Sequence, residues 1–318
     1  MTTIGYTLSS EERDPTALVE DAVRAEAAGF EFALASDHYH PWIDAQGESP
    51  FVWSTLGAVA RATEDLRVGT GVTCPTMRLH PAIVAQAAAT TAVMFDGRFF
   101  LGVGTGERLN EHVLGDRWPP HHVRLEMLAE AVEVIRELWG GELSSHDGEH
   151  YTVENARLYT VPDEPPPIAV AAGGPETAEL AGRLGDALVS TAPDADVVEA
   201  FADAAGDDAR RYAQVTVCWA DSADEARATV QETWPNGALP GELGQELSTP
   251  THFEQAVELV SEDDAVEHVP CGPDADDHVE AIQAFVDAGF DHVYVHQIGP
   301  AQAEAQEFYA AEVLPSFG

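Results

Sequence analysis

The sequence predicts a single (β/α)8 (TIM) barrel domain spanning 1–318. Three observations carry that expectation: short β-rich runs alternate with longer helical ones, there are eight such runs, and no Gly-, Ser- or Pro-rich linker divides the chain into halves. The strand runs are 4–8, 32–36, 67–72, 99–104, 168–172, 187–191, 214–219 and 291–297. The clearest helix lies at 123–139, where Leu125, Leu128, Val132, Ile135 and Trp139 recur at the three-to-four spacing of a buried face. Spans 14–28, 51–62, 81–95 and 176–184 follow the same pattern, with Pro81 and Pro175 suited to a first helical turn. A barrel needs about 250 residues. The excess is expected in a hairpin-like excursion at about 141–160 and a loop-and-helix insertion at about 234–268.

Composition narrows the chemistry. Asp and Glu number 56 against 15 cations, giving a net charge of −41, and every cation is arginine because the chain has no lysine. A lysine Schiff base, ordinary pyridoxal-phosphate catalysis and a P-loop lysine are thereby excluded. Phosphate backbones and anionic membranes are expected to be repelled, so neither nucleic acid nor membrane is an expected partner. Such an acidic surface is expected to be halophilic, since molar salt shortens the screening length to ~3 Å. Cys74, Cys218 and Cys271 are too few and too scattered for a disulfide framework. The opening MTTIGYTLSS has no basic or apolar leader, and no run approaches 18 apolar residues. A soluble, cytoplasmic protein is expected.

In a barrel, chemistry gathers at the C-terminal ends of strands. Four consecutive strand ends carry polar or glycine-rich segments: Ser36-Asp37-His38-Tyr39-His40-Pro41-Trp42, Gly71-Val72-Thr73-Cys74-Pro75-Thr76, Gly102-Val103-Gly104-Thr105-Gly106-Glu107 and Ala171-Ala172-Gly173-Gly174-Pro175-Glu176-Thr177. The His38-Tyr39-His40 run has the look of a metal-site start, but such sites need further ligands, often a modified lysine. No metal is expected. Asp37-His38 reads instead as a carboxylate orienting an imidazole that takes a proton from a hydroxyl. Gly173-Gly174 before Pro175 offers backbone N–H groups to an anion, or simply makes a tight turn. Glu107 is either an acid exposed to a pocket or a residue favoured by a helix N-terminus.

Taken together, Ser-Asp-His-x-x-Pro-Trp, Gly-Thr-Gly-Val-Thr-Cys-Pro-Thr, Leu-Gly-Val-Gly-Thr-Gly-Glu-x-Leu-Asn-Glu and Ala-Ala-Gly-Gly-Pro resemble the luciferase-like monooxygenase superfamily. Within it they are most similar to the branch dependent on coenzyme F420, a deazaflavin, which includes F420-dependent glucose-6-phosphate dehydrogenases. The resemblance covers almost the whole chain and is strongest over 31–190. It implies a luciferase-like barrel with the cofactor at the strand C-termini. His38 would be the base drawing the hydroxyl proton, Trp42 would stabilise the anionic state, and Glu107 would protonate the deazaflavin as hydride arrives. Asp37, Cys74, Gly106, Glu107 and Asn110 would contact the cofactor. Gly71-Val72 would form a non-prolyl cis peptide against the ring. Ala172, Gly173, Gly174, Pro175, Glu176 and Thr177 would hold the cofactor phosphate through backbone amides. Relatives in this branch are commonly dimers, so a homodimer is expected.

The substrate end departs from the phosphosugar enzymes. Where those carry cations this chain reads Thr191-Ala192-Pro193-Asp194, and from 228 to 318 it has eighteen acids and no Arg. Replacing a cation by an acid at a phosphate contact loses a charge-assisted bond and adds repulsion. The expected substrate is therefore a small neutral molecule, a non-phosphorylated sugar or a secondary alcohol, with Thr191 at its site. The alternatives are an FMN-dependent monooxygenase of the same superfamily, reduction of a carbon–nitrogen double bond on a pterin carrier, and a barrel that binds F420 or a metabolite without turnover.

Overall fold

A computed structural model describes residues 2–318. Eight parallel strands close into a barrel, in the order β1 (Thr3–Leu8), β2 (Phe32–Ala35), β3 (Arg67–Thr70), β4 (Phe99–Val103), β7 (Ile168–Ala171), β8 (Ala187–Ser190), β9 (Arg210–Val217) and β10 (His292–Gln297), which pairs back to β1. The two remaining strands, β5 (Ser144–Asp147) and β6 (Thr152–Ala156), pair antiparallel as the hairpin at 141–160. This is a (β/α)8 barrel, as the sequence predicts.

Each barrel strand is followed by helix. These are α1 (Pro15–Ala28), α2 (Val52–Ala62), α3 (Pro81–Phe95), α4 (Arg108–Glu111) with α5 (His121–Trp139), α6 (Pro175–Leu184), α7 (Ala195–Ala205), α8 (Ala223–Thr233) and, after β10, α13 (Gln302–Phe308). The insertion before β10 holds α9 (Leu243–Glu246), α10 (Pro250–Val257), α11 (Glu262–Val266) and the closing α12 (Ala275–Asp287). Sequence dictates the starts: Asp14 accepts from the N–H groups of Thr16 and Ala17 to cap α1, and Pro15 and Pro81 occupy first turns that need no N–H. α5 begins at His121, two residues before the expected 123, because Pro119-Pro120 sets its entry.

Strand register sorts side chains into two cores. Ile4, Tyr6, Val293 and Val295 face outward under the helices, while Phe32, Leu34, Phe100, Tyr212 and Tyr294 face the barrel axis. The axis is plugged at its lower end by rings: Phe100 and Tyr212 stack at 4.9 Å, and Phe32 meets Tyr212 edge-on at 5.3 Å. Gly69 makes room for this layer, since a Cβ there would lie 2.3 Å from the Phe100 ring. With the bottom filled, open space remains at the C-terminal mouth.

Two differences from the sequence-based boundaries are informative. β9 starts at Arg210 rather than 214 because Arg210 and Arg211 sit at the solvent-facing rim, hiding the alternation. Six strands stop one or two residues early, and the residues released from five of them, Ser36, Gly71, Val72, Gly104, Ala172 and Thr191, line the mouth, while Cys218 and Trp219 after β9 do not.

Candidate active site

The mouth holds a cavity of about 620 Å3, and all sixteen residues singled out from the sequence line it. They reach it from different strand ends. His38, Asp37 and Trp42 follow β2; Gly71, Val72 and Cys74 follow β3; Gly106, Glu107 and Asn110 follow β4; Ala172 to Thr177 follow β7; Thr191 follows β8.

His38 is an ionisable group with three polar partners there. Its Nδ1 lies 3.2 Å from the His40 carbonyl, which can only accept, so Nδ1 carries the proton and Nε2 is the basic atom. Nε2 faces Glu11 Oε1 at 3.2 Å and Glu107 Oε2 at 3.6 Å. Burial by itself would lower the imidazole pKa, but the Glu11 and Glu107 carboxylates outweigh it and raise His38 above its ordinary value. The reciprocal effect acts on Glu11: burial would raise it, but His38 and the Ser36 hydroxyl hold its carboxyl below the usual range. Glu11 Oε2 also accepts from Ser36 Oγ at 2.7 Å and Ser9 Oγ at 3.1 Å, which fixes it in place. The Trp42 ring lies 5.0 Å from the His38 ring and is braced edge-on by Phe253 of α10 at 5.1 Å.

Asp37 does not orient His38. Its buried carboxylate accepts from Thr73 Oγ1 at 2.7 Å and Arg78 Nη2 at 2.8 Å, and the imidazole partner is Glu11 instead. The expectation fails because neighbouring residues beyond a strand point opposite ways, whereas Glu11, after β1, comes alongside through the β1–β2 pairing. Arg78 is held from its other side by Glu111, which accepts its backbone N–H at 2.8 Å. Burial pushes the Glu111 carboxyl up to about 7. Asn110 is structural on two counts: Oδ1 accepts from Tyr39 and His40 N–H, and Nδ2 donates to Glu107 Oε2 at 3.0 Å. It thereby joins the His38 loop to Glu107.

The wall after β3, β4 and β7 is made largely of backbone and small side chains. The Gly71–Val72 peptide is cis. Gly106 has φ 76°, and a Cβ there would fall 2.6 Å from Cys74 Sγ, so only glycine fits. At the start of α6 the Gly174 N-cap has no side-chain partner, and a Cβ on Gly173 or Gly174 would meet nothing within 4 Å. Free N–H groups at a helix N-terminus opening on a cavity make an anion receptor. These observations fit a flat ring bearing a phosphate, with the phosphate at residues 173–177 and the ring against 71–74 and 104–106. Towards solvent, Thr191 lines the cavity, but Asp194 caps α7 by accepting the Asp196 N–H at 2.9 Å and does not. Among the described residues, the lining includes six carboxylic side chains, Glu11, Asp37, Glu107, Glu111, Glu176 and Glu242, and no arginine.

Sequence reading missed Glu11, Arg78 and Glu111. Glu11 had a usable signal, because Ser9-Ser10-Glu11-Glu12 after the first strand is as polar as the segments after the next four. No group of three or more His, Cys, Asp or Glu among the described residues is placed to hold a metal ion.

Comparison with known proteins agrees with this architecture. The luciferase-like monooxygenase family model matches residues 1–292, and the chain belongs to that family. It is 40% identical to an F420-dependent hydroxymycolic acid dehydrogenase of Mycobacterium tuberculosis (strain ATCC 25618 / H37Rv), over 98% of this chain and 87% of the relative. It is 35% identical to an F420-dependent glucose-6-phosphate dehydrogenase of Microbacterium testaceum (strain StLB037), covering 98% of this chain and 96% of that one. Among solved structures, an F420-dependent secondary alcohol dehydrogenase in complex with an F420-acetone adduct superposes with a TM-score of 0.92 at 31% identity, covering 98% of both chains.

Proposed function

We propose that this protein is a coenzyme F420-dependent dehydrogenase that moves a hydride between the deazaflavin and the carbinol carbon of a neutral sugar or secondary alcohol. The observation that carries the reading is His38 Nε2 beside Glu11 and Glu107, in one cavity with the backbone and small residues Gly71, Val72, Cys74, 104–106 and 173–177. Support also comes from relatives named as F420-dependent dehydrogenases of hydroxymycolic acid, glucose 6-phosphate and secondary alcohol. When bound, the deazaflavin supplies a two-electron hydride acceptor. Residues 172–177, with Gly71, Val72, Cys74 and Gly106, would hold it. Oxidation removes a hydride from carbon and a proton from oxygen, and His38 Nε2 takes the proton while Glu11 stabilises the resulting imidazolium. Trp42 would cover that charge, and Glu107, in its acid form, would be the proton donor on the cofactor side of the cavity. The six carboxylic groups and absent arginine favour an uncharged substrate, which Thr191 meets at the outer rim.

The test is bleaching of F420 absorbance at molar KCl with 2-propanol, glucose and glucose 6-phosphate. Turnover of a neutral alcohol or sugar is expected. Preference for glucose 6-phosphate refutes the substrate reading, and binding without bleaching by any alcohol refutes turnover.

The same proposal extends to assembly and setting. A homodimer through the α2–α3 face is supported by Phe51, Ile83 and Met94, which are 51%, 55% and 38% exposed, and by α3, which has no charged side chain in a chain of net charge −41. Like-charged copies meet most easily where they carry no charge. Ile83→Glu is expected to halve the mass seen by light scattering; an unchanged mass places the interface elsewhere. Acidic excess supports a halophilic, cytoplasmic enzyme. Among the described residues no helix is long and apolar enough to cross a membrane. Seating of both insertions on the barrel supports one domain: Glu130 of α5 accepts three hairpin N–H groups, from Glu149, His150 and Tyr151, and Arg124 donates to Gln245 at 3.2 Å.

A further inference from the structure

His296 is a buried, cavity-lining imidazole that the chemistry above leaves unused. It is 2% exposed, sits on the axis-facing side of β10, and its Nε2 has no hydrogen-bond partner. Nδ1 has only Thr216 Oγ1, at the limiting distance of 3.5 Å. The nearby carboxylate oxygen Glu12 Oε2 is 3.7 Å from Nε2, beyond hydrogen-bond distance, and Glu12 is anchored by its other oxygen, which accepts the Gly299 N–H at 2.9 Å. On the neighbouring strand β1, Thr7 Oγ1 is likewise buried, lines the cavity and has no partner. Thr7 is paired with the axis-facing Leu34 and directly follows Tyr6, the partner of Val295, so register places it beside His296 on the same face.

An unpartnered buried donor or acceptor costs stability in the absence of a ligand. Two of them side by side in one cavity mark a place where a polar ligand atom completes the bonding. Their position relative to the proton-transfer group is set by Ser9, whose Oγ contacts Glu11 Oε2 at 3.1 Å and Glu12 Oε2 at 3.5 Å. His38 stands on the Glu11 side of this bridge and His296 on the Glu12 side. Above His296, the Trp234 ring packs edge-on at 4.4 Å and walls the pocket from the insertion.

We propose that His296 and Thr7 form a second hydroxyl-recognition site, so that the substrate is a vicinal diol or polyol, a non-phosphorylated sugar included, rather than an alcohol with one oxygen. A hydroxyl there donates to one group and accepts from the other while the reacting carbinol meets His38. The inference rests on the dehydrogenase reading and selects between its two substrate classes.

The experiment compares 2-propanol with propane-1,2-diol, which keeps the same secondary carbinol and adds one hydroxyl. The wild-type protein with F420 is expected to favour the diol in kcat/KM by roughly tenfold or more, because a site built for a hydroxyl discriminates against the analogue lacking it. His296→Phe, which keeps a ring against Trp234, is expected to lower kcat/KM for the diol by about 10–100-fold while changing 2-propanol by less than about threefold, and His296→Asn to recover part of the loss. Thr7→Val gives the same selective loss, smaller, should His296→Phe not fold. A readout without cofactor is the imidazole 15N resonance of His296 in the full chain, expected to shift on adding the diol and not on adding 2-propanol. Equal losses on both alcohols, a wild-type preference for 2-propanol, or an unmoved resonance overturns the second site and leaves the dehydrogenase standing. If neither alcohol bleaches bound F420, the dehydrogenase reading falls and takes this proposal with it.

Discussion

The two sides of the barrel mouth are built from opposite materials. The side after β3, β4 and β7 is largely glycine, alanine and bare backbone, with Glu107, Glu111 and Glu176 as its carboxylic groups: a cis peptide at Gly71–Val72, Gly106 against Cys74, and an uncapped helix start at Gly173-Gly174. The side formed by β1, β2 and β10 offers ionisable groups: Glu11, His38 and His296. Backbone N–H groups bind without titrating and do not depend on pH, which suits holding an anionic group of the cofactor. Imidazoles and carboxylates shift one another's proton affinity, which suits the molecule that reacts. The comparison therefore says that binding of the cofactor and transfer of the substrate proton are separable by mutation, one side at a time.

The largest effect expected from breaking this division is at His38. His38→Ala lowers kcat for alcohol oxidation by about 10^2–10^4-fold, the usual worth of a positioned general base; steady-state bleaching of F420 checks it. On the other side, Gly173→Asp sets a carboxylate against the anion receptor of α6 and weakens F420 binding by roughly 10–100-fold, with kcat at saturating cofactor little changed. Fluorescence titration together with saturating kinetics separates the two quantities.

Glu11→Gln sharpens the comparison through pH. In the wild-type protein the carboxylates raise the His38 pKa above its ordinary value. Oxidation needs neutral His38, so kcat/KM rises with pH through that raised pKa, and reduction of the carbonyl product falls over the same range. Removing the Glu11 charge lowers the pKa, so the rising limb moves to lower pH while its plateau drops about tenfold, since the imidazolium loses its support. A limb that stays where it was contradicts Glu11 as the partner of His38.

The smallest effect lies outside both walls. Tyr151, in the hairpin, donates to the Thr76 carbonyl at 3.0 Å and so tethers the loop after β3. Tyr151→Phe deletes one buried hydrogen bond worth about 1 kcal/mol. A Tm lower by about 1–3 °C is expected, with F420 affinity nearly unchanged.

How much of this was legible in the sequence follows from which rules are local. Strand and helix alternation is local and gave the barrel, including the hairpin and the insertion before β10. Strand ends were less legible, for a reason that is itself informative: Ser36, Gly71, Val72, Gly104, Ala172 and Thr191 continue the apolar or small pattern of their strands but leave the ladder to line the cavity. Asp37 was paired with His38 because they are adjacent in sequence, yet consecutive side chains in extended backbone diverge. Its true partners, Thr73 and Arg78, are 36 and 41 residues away. Glu11 lies 27 positions before His38 and reaches it only because β1 and β2 are neighbours. His296 is further still, and nothing in Val-His-Gln at a strand end distinguishes an unpartnered imidazole from a satisfied one; its missing hydrogen bond is a three-dimensional fact.

The most direct test of the division between the two walls is a fluorescence titration, at molar KCl, of F420 and separately FMN against the wild-type protein, His38→Ala and Gly173→Asp. The account predicts saturable F420 binding and none of FMN, with His38→Ala binding F420 within about threefold of wild type and Gly173→Asp binding it far more weakly. Preference for FMN, or a loss of F420 affinity in His38→Ala as large as that in Gly173→Asp, would contradict it.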